Sequence, residues 1–256
     1  MQALLSRRGF LNFAVSGVLA SAIPLQSIAQ SNTNGKFKAV VFDAFPVFDP
    51  RPAMALAETV FPGHGQTLSS VWRTRQFDYQ WLRALSGQYV DFWKATEDSL
   101  VFAAKSMHLE LSTEVRDKLM AAYSHLTVWP DAPAALKTLR KAGIRLAFLS
   151  NMTRRMLEDG IRQSNLNELF EDVLSTDQIR SYKPDPRTYQ MAIDSLKLKH
   201  EEILFAPFAG WDAAGAKWFG YPTFWVNRLG GPAEELGVVA DGMGPDLNAL
   251  VKFTLD

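Results

Sequence analysis

Short, continuously apolar runs recur along the chain, and most are separated by segments with apolar residues at helical spacing. The runs lie at residues 38–42, 144–151, 173–176, 203–208 and 222–227. A continuous apolar run is typical of a parallel strand that is covered on both faces. Strands that alternate with helices predict an α/β fold, in which a parallel sheet carries helices on both sides.

Residues 53–128 follow a different pattern. Three segments in this region have apolar residues at helical spacing: 68–87, 89–109 and 113–126. No strand is predicted between them. The simplest organisation is an α/β core made of residues 37–52 and 129–256, with a helical subdomain inserted at 53–128. An insertion at that point covers the carboxyl ends of the strands, where open α/β sheets place their ligands.

Two boundaries in the second half of the chain can also be predicted. Asp131 is a candidate N-cap for the helical segment that ends before Gly143, because its carboxylate can accept a first-turn N–H. The C-terminal residues 229–256 predict a surface loop followed by a short helix.

Composition narrows the class of protein. The chain has 256 residues, of which 47% are hydrophobic, so it can bury a substantial core. Lys plus Arg equals Asp plus Glu at 27 each, which gives no electrostatic reason to expect nucleic acid or an anionic membrane as partner. There is no cysteine, and the four histidines show no ligand spacing, so no metal or cofactor is predicted. A small neutral or singly charged molecule fits best.

Residues 1–29 resemble a twin-arginine export signal. Arg7 and Arg8 precede an apolar stretch, and Ser27 and Ala29 are small residues at a plausible cleavage site. A retained membrane anchor is the alternative, but Pro24 interrupts the stretch, which is shorter than the roughly 20 residues of a spanning helix. The resemblance implies a periplasmic or secreted protein, with no stable membrane association after cleavage.

Polar side chains follow four successive predicted strands. Asp43 ends the first run, Ser150 and Asn151 end the second, and Lys183 and Asp212 lie in later loops. Each one alone could close a turn or be solvated. Because parallel strands end at one edge of a sheet, four such positions together favour a functional site there.

These residues carry a family resemblance. Asp43 after a buried strand, "LSN" at 149–151, "YKPD" at 182–185 and "WDAAGAKWFGYPTFWVNR" at 211–228 resemble the haloacid dehalogenase superfamily. Within it, the chain is similar to the L-2-haloacid dehalogenase (type II) branch over about residues 37–230. The resemblance implies a Rossmann-like core with a parallel sheet and an inserted helical cap. It also makes a homodimer plausible.

For catalysis, the resemblance implies a covalent route. Asp43 would displace halide from C2 of a short 2-haloalkanoate with inversion, and water would hydrolyse the resulting aspartyl ester to a 2-hydroxy acid. Lys183 would keep the carboxylate ionised, and Asp212 would orient Lys183 or the water.

Substrate contacts are also implied by the resemblance. Arg73 and Asn151 would receive the departing halide, and Ser150 would help to fix the substrate carboxylate. Tyr189 matches an active-site tyrosine of the family. A charge that develops on a halide in a dry pocket needs donors that are already in place, and an arginine with an amide supplies them.

Phosphatases of the superfamily use carboxylates at two positions that are apolar in this chain, one to protonate the leaving group and one to hold Mg²⁺. Phe45 stands two residues after Asp43, where an Asp would protonate the leaving group, and Phe208 replaces the acid four residues before Asp212. Neither Mg²⁺ binding nor leaving-group protonation is therefore supported. Halide leaves unprotonated, so a dehalogenase needs neither.

Two segments depart from the dehalogenase pattern. Pro46 and Val47 replace a Gly-Thr pair after the nucleophile, so the loop must be wired differently. In the fourth motif, Pro207, Phe208 and Ala209 stand where polar side chains usually hold the carboxylates and water. Two alternatives stay open: a diverged hydrolase acting on a phosphoester or a bulkier halide, and a catalytically weak periplasmic binding protein.

Overall fold

A computed structural model describes residues 36–256, so the export signal expected at 1–29 lies outside the described residues. In chain order the elements of this part are β1 (Ala39–Phe42), β2 (Phe48–Asp49), α1 (Arg51–Val60), α2 (Gly65–Ser86), α3 (Phe92–Ser106), α4 (Thr113–Ala122), β3 (Thr127–Val128), α5 (Ala132–Lys141), β4 (Arg145–Ser150), α6 (Arg154–Gln163), β5 (Asp172–Ser175), α7 (Pro186–Leu196), β6 (Ile203–Ala206), α8 (Gly210–Phe219), β7 (Phe224–Val226), β8 (Gly242–Gly244) and α9 (Leu247–Leu255). Within residues 36–256, no helix is both long and apolar enough to cross a bilayer.

The central sheet is parallel, as the apolar runs predict. Its strand order is β5-β4-β1-β6, so β1 pairs with β4 on one side and with β6 on the other. Val40 and Phe42 pack into the core on one face, whereas Ala39 and Val41 pack into the core on the opposite face. This alternation buries both faces of β1 and fixes where Asp43 leaves the sheet.

The helical insertion consists of α1 to α4, which occupy residues 51–122. α2 buries a stripe at Leu68, Trp72, Gln76 and Gln80, four residues apart, and Gly87 ends it with φ +69°. The structure also contains α1, which the sequence pattern did not predict because prolines stand at its start. Pro52 lies in the first turn of α1, where a missing N–H costs nothing.

A short antiparallel pair, β2 with β3, brackets the insertion, and no strand lies between α2, α3 and α4, as expected. Phe48 pairs with Val128, and Asp49 with Thr127. Two-residue strands are too short to produce a hydrophobic alternation, so the sequence carries no signal for them.

The C-terminal segment contains a strand in addition to the expected loop and helix. β8 pairs in parallel with β7, and a single bridge, Phe205 to Thr223, connects this pair to the central sheet. Gly242 shows why the sequence does not predict the strand: a Cβ there would lie 2.8 Å from the ring of Phe224. Close backbone approach, rather than apolar pattern, selects these residues.

Candidate functional site

The strand ends bring the predicted polar residues together. Asp43 directly follows β1, Ser150 ends β4, and Asp212 lies in the first turn of α8 after β6. Lys183 lies in the turn that precedes α7. All four are buried at the carboxyl edge of the sheet, beneath the helical insertion.

One buried ammonium joins two carboxylates. Lys183 Nζ donates to Asp43 Oδ1 at 3.0 Å and to Asp212 Oδ2 at 2.5 Å, and the lysine side chain is 0% exposed. The hydroxyl of Tyr189 donates to Asp212 Oδ1 at 2.7 Å. Gly215 makes room for this hydroxyl, since a Cβ there would lie 2.5 Å from it. Asp212 thus faces the ammonium with one oxygen and the phenol with the other.

Burial and charge act in opposite directions on these groups. Burial raises the pKa of Asp212 to about 6, although the Lys183 charge opposes the rise. Burial lowers the pKa of Lys183, but attraction to Asp212 and Asp43 outweighs it and the net shift is upward. Burial also holds the pKa of Tyr189 well above its usual range, so this side chain stays a donor.

Ser150 and Asn151 hold the site from the end of β4. Ser150 Oγ donates to Asp43 Oδ1 at 3.1 Å. Asn151 Oδ1 accepts the backbone N–H of Lys183 at 2.9 Å. In the structure both residues bind other residues of the site. The substrate and halide contacts expected of them remain predictions.

Arg73 extends from α2 into the same cavity as Asp43. Its half-buried guanidinium lies 5.5 Å from the ring centroid of Phe208 and 5.8 Å from that of Phe77. Among residues 36–256 no carboxylate lies within 4.0 Å of it, and burial lowers its pKa. An arginine stays protonated at such a position, so its charge is available to bind an anion.

The cavity around Asp43 is narrow and mostly apolar at its walls. Phe45, Phe77, Phe92, Phe208 and Trp211 contribute rings. The space open to the centre of a water molecule is about 20 Å³, little more than the roughly 10–15 Å³ that one water needs. A ligand larger than water therefore requires the side chains that line the cavity to move.

The loop after Asp43 is held in place by Arg228, a residue that the sequence did not single out. Arg228 donates to the carbonyl of Pro46 from Nη2 at 2.6 Å and binds Asp131 Oδ1 from Nη1 at 2.7 Å. The N–H of Val47 bonds to Ala44 O. Asp131 occupies the N-cap position of α5, but it makes no capping bond, because its carboxylate binds Arg228 and the N–H of Leu247. The predicted N-cap position is therefore confirmed, but the expected side-chain capping bond is not formed.

In the altered fourth motif, backbone hydrogen bonds and the ring of Phe208 make the contacts. Pro207 O accepts the N–H of Val226, and Phe208 O accepts Trp225 Nε1 at 3.0 Å. The rings of Phe208 and Phe45 lie 5.8 Å apart. Within the described part of the chain, no group of three or more His, Asp or Glu side chains could hold a metal ion.

Comparisons with known proteins agree on one family. Residues 37–220 match the sequence profile described as haloacid dehalogenase-like hydrolase. The chain is 37% identical over 217 residues to an (S)-2-haloacid dehalogenase of Pseudomonas sp. (strain YL), covering 84% of this chain and 94% of the relative. It is 36% identical to haloacetate dehalogenase H-2 of Moraxella sp. (strain B), covering 84% and 97%.

A solved structure is similar to most of the chain. It is the L-2-haloacid dehalogenase from Xanthobacter autotrophicus with chloropropionic acid covalently bound. The TM-score is 0.78 at 32% identity, and the match covers 85% of this chain and 98% of that one.

Proposed function

The chain belongs to the haloacid dehalogenase-like hydrolase family, and from this premise we propose that it hydrolyses short (S)-2-haloalkanoic acids to 2-hydroxy acids. One observation carries the proposal: a buried carboxylate, Asp43, faces the same small cavity as the guanidinium of Arg73, which has no carboxylate partner within residues 36–256. A nucleophile and an anion receptor in one buried pocket are what displacement of halide from carbon requires.

The first step forms an ester on Asp43. Lys183 and Ser150 both bind Oδ1, whereas Oδ2 accepts the N–H of Phe45 at a longer 3.3 Å. Oδ2 is therefore the freer atom to attack C2 of the substrate. As the new C–O bond forms, the carbon–halogen bond breaks and the halide leaves with the electron pair toward Arg73. Inversion at C2 follows from attack opposite to the leaving group.

The second step returns Asp43 to its carboxylate form. Water adds to Cγ of the ester, and the Cγ–O bond to the substrate breaks. Asp212, with a pKa raised to about 6 by burial, is suited to take a proton from the water. The Lys183 ammonium can supply a proton to the departing oxygen. The oxygen of the water stays on Asp43, the proton left on Asp43 restores the Lys183 ammonium, and the proton on Asp212 is released to solvent.

The chemistry of this site needs no metal. Phe45 and Phe208 place rings where a phosphatase of this superfamily would use carboxylates. The carbonyl of Phe45, the backbone ligand expected in such a phosphatase, accepts Trp129 Nε1 at 2.9 Å instead. The phosphoester alternative is disfavoured by these contacts.

Halide release is the direct test. We expect the protein to release free halide from (S)-2-chloropropionate and (S)-2-bromopropionate at the same rate with and without EDTA. Loss of turnover in EDTA, restored by Mg²⁺, would contradict a metal-independent mechanism. Absence of release from both substrates, with propionate still binding, would favour the binding-protein alternative.

The pH dependence of turnover should report Asp212. We expect kcat/KM to fall below about pH 6, as Asp212 takes up a proton and its hold on Lys183 weakens. The Tyr189 hydrogen bond lowers the pKa of Asp212, so Tyr189→Phe should move this acid limb to higher pH. A pH profile of both proteins measures the shift. An unmoved limb would show that another group titrates.

We also propose that residues 1–29 direct export. The support is the Arg7-Arg8 pair before an apolar stretch and the absence of cysteine from the whole chain. Replacing both arginines by lysine should retain the protein in the cytoplasm in a cell-fractionation experiment. Equal distribution of the two forms would refute this route.

A further inference from the structure

A chain of amide contacts fixes the orientation of Gln80, a residue of α2 next to the cavity. The backbone N–H of Lys183 can only donate, so the Asn151 atom that faces it at 2.9 Å must be Oδ1. Asn151 Nδ2 then donates to Gln80 at 2.8 Å, and the Gln80 atom that receives it must be Oε1. Gln80 Nε2 is consequently turned away from Asn151. The assignment starts from a backbone donor and leaves no freedom to exchange the two amide atoms.

The nitrogen of Gln80 is left without an acceptor in the described part of the chain. Gln80 is 0% exposed, and its Nε2 has no hydrogen-bond partner among residues 36–256. Buried amide nitrogens are almost always satisfied, so an orphan at this position calls for an explanation. Gln80 lines the same cavity as Asp43 and Arg73. Arg73 and Gln80 are also seven residues apart on one helix, which places them on one face.

The contrast with Gln76 supports a functional role. Gln76 lies one turn earlier on α2 and is also buried, but its Nε2 donates to Thr96 Oγ1 at 2.6 Å. The fold therefore satisfies one buried glutamine of this helix within the protein. Both glutamines line the cavity that holds the nucleophile, but within residues 36–256 Gln80 keeps an N–H without an acceptor whereas Gln76 does not.

We propose that Gln80 is a substrate-binding residue whose Nε2 donates to an acceptor atom of the bound 2-haloacid, either its carboxylate or its departing halogen. The inference rests on the proposed dehalogenase function and deepens it. Gln80 complements the positive charge of Arg73 with a neutral, preoriented donor. Because Asn151 is anchored to Lys183, the same contacts tie the position of this donor to the Asp43–Lys183 pair.

The test compares Gln80→Met with Gln76→Met. Kinetics with (S)-2-chloropropionate and (S)-2-bromopropionate are combined with fluorescence titrations of propionate and of chloride, which need no turnover. We expect Gln80→Met to lose about 10- to 100-fold in kcat/KM, the range of a lost hydrogen bond to a charged acceptor. Gln76→Met controls for removing a buried glutamine from this helix and should lose less affinity for both probes.

The two probes identify the acceptor. Weaker propionate binding in Gln80→Met, with equal losses for both halogens, assigns the donor to the substrate carboxylate. Weaker chloride binding, with a larger kcat loss for the chlorinated substrate, assigns it to the halogen. Unchanged affinity for both probes would overturn the proposal.

A second variant separates substrate binding from support of Asn151. Gln80→Glu keeps an oxygen for Asn151 Nδ2 but lacks the N–H, so we expect it to be at least as impaired as Gln80→Met. Wild-type kinetics in Gln80→Glu would show that Gln80 only orients Asn151, and would refute the proposal. Gln80→Glu also tests it if Gln80→Met fails to fold. If the wild-type protein releases no halide, the proposed function fails, whereas the propionate and chloride titrations still test Gln80.

Discussion

Replacing Asp43 with asparagine is expected to abolish halide release, with kcat lowered on the order of 10⁴-fold or more, as when other covalent nucleophiles are removed. The amide has nearly the same shape but no negative charge to attack C2. Asp43 is the carboxylate that directly follows β1 and binds both Lys183 and Ser150. Steady-state halide release measures the loss. Asp194→Asn, an exposed carboxylate on α7, is the matched control and should keep full activity.

Trapping the intermediate tests the same prediction independently of turnover. Wild-type protein quenched in acid during turnover should carry the substrate carbon skeleton on the peptide that contains Asp43, as seen by mass spectrometry. Pro207, Phe208 and Ala209 provide no polar side chain for the hydrolytic step, so slow hydrolysis would appear as a burst of halide equal to the enzyme concentration. An ester on a residue other than Asp43, or full activity in Asp43→Asn, would contradict the assignment.

The sheet and the polar edge could be predicted because they depend on simple geometry. The apolar runs around Val41 and Phe148 are buried on both faces, which leaves a readable pattern. Since parallel strands end at one edge, Asp43, Ser150 and Asp212 had to lie near each other once the strands were placed. The position of Arg73 came from the family resemblance instead, because helical spacing alone does not distinguish a cavity-facing arginine from an exposed one.

Other features depend on contacts that no local pattern contains. Arg228 reaches the carbonyl of Pro46 across 182 positions of sequence. Trp129 Nε1 reaches the carbonyl of Phe45 across 84 positions. Together these two contacts hold the loop after the nucleophile, in which Pro46 has no backbone N–H to donate. The orientation of the Gln80 amide is likewise visible only in three dimensions, because it follows from what Asn151 and Lys183 already bind.

Replacing Lys183 with methionine is expected to cost both activity and stability. The methionine side chain would nearly fill the space of the lysine stem but would leave Asp43 and Asp212 buried without their shared cation. Loss of one partner from a buried pair typically costs about 3–5 kcal/mol. Because Asp43 would also lose the contact that orients its carboxylate, we expect kcat to fall roughly 10³-fold or more.

The stability loss should depend on pH, and the sign follows from the raised pKa of Asp212. In the wild-type protein the Lys183 charge opposes the rise that burial causes in the pKa of Asp212, so without the ammonium the folded pKa of Asp212 lies further above the unfolded value of about 3.9. Such a group stabilises the fold at low pH, and this contribution is lost as pH rises through the folded pKa. Urea unfolding should therefore show Lys183→Met much less stable than wild type at pH 8 and closer to it at pH 5. Equal losses at both pH values would contradict this argument.

A double variant separates the charge effect from simple loss of packing. Lys183→Met with Asp212→Asn removes the ammonium together with one of the two carboxylates it binds, so Asp43 no longer faces a like charge. We expect the double variant to be more stable at pH 8 than Lys183→Met alone, because the two changes share one contact and are not additive. It should nevertheless stay inactive, since Asp43 still lacks its cation. Additive losses would mean that Lys183 stabilises the fold through its aliphatic stem, and that the two carboxylates do not depend on its charge.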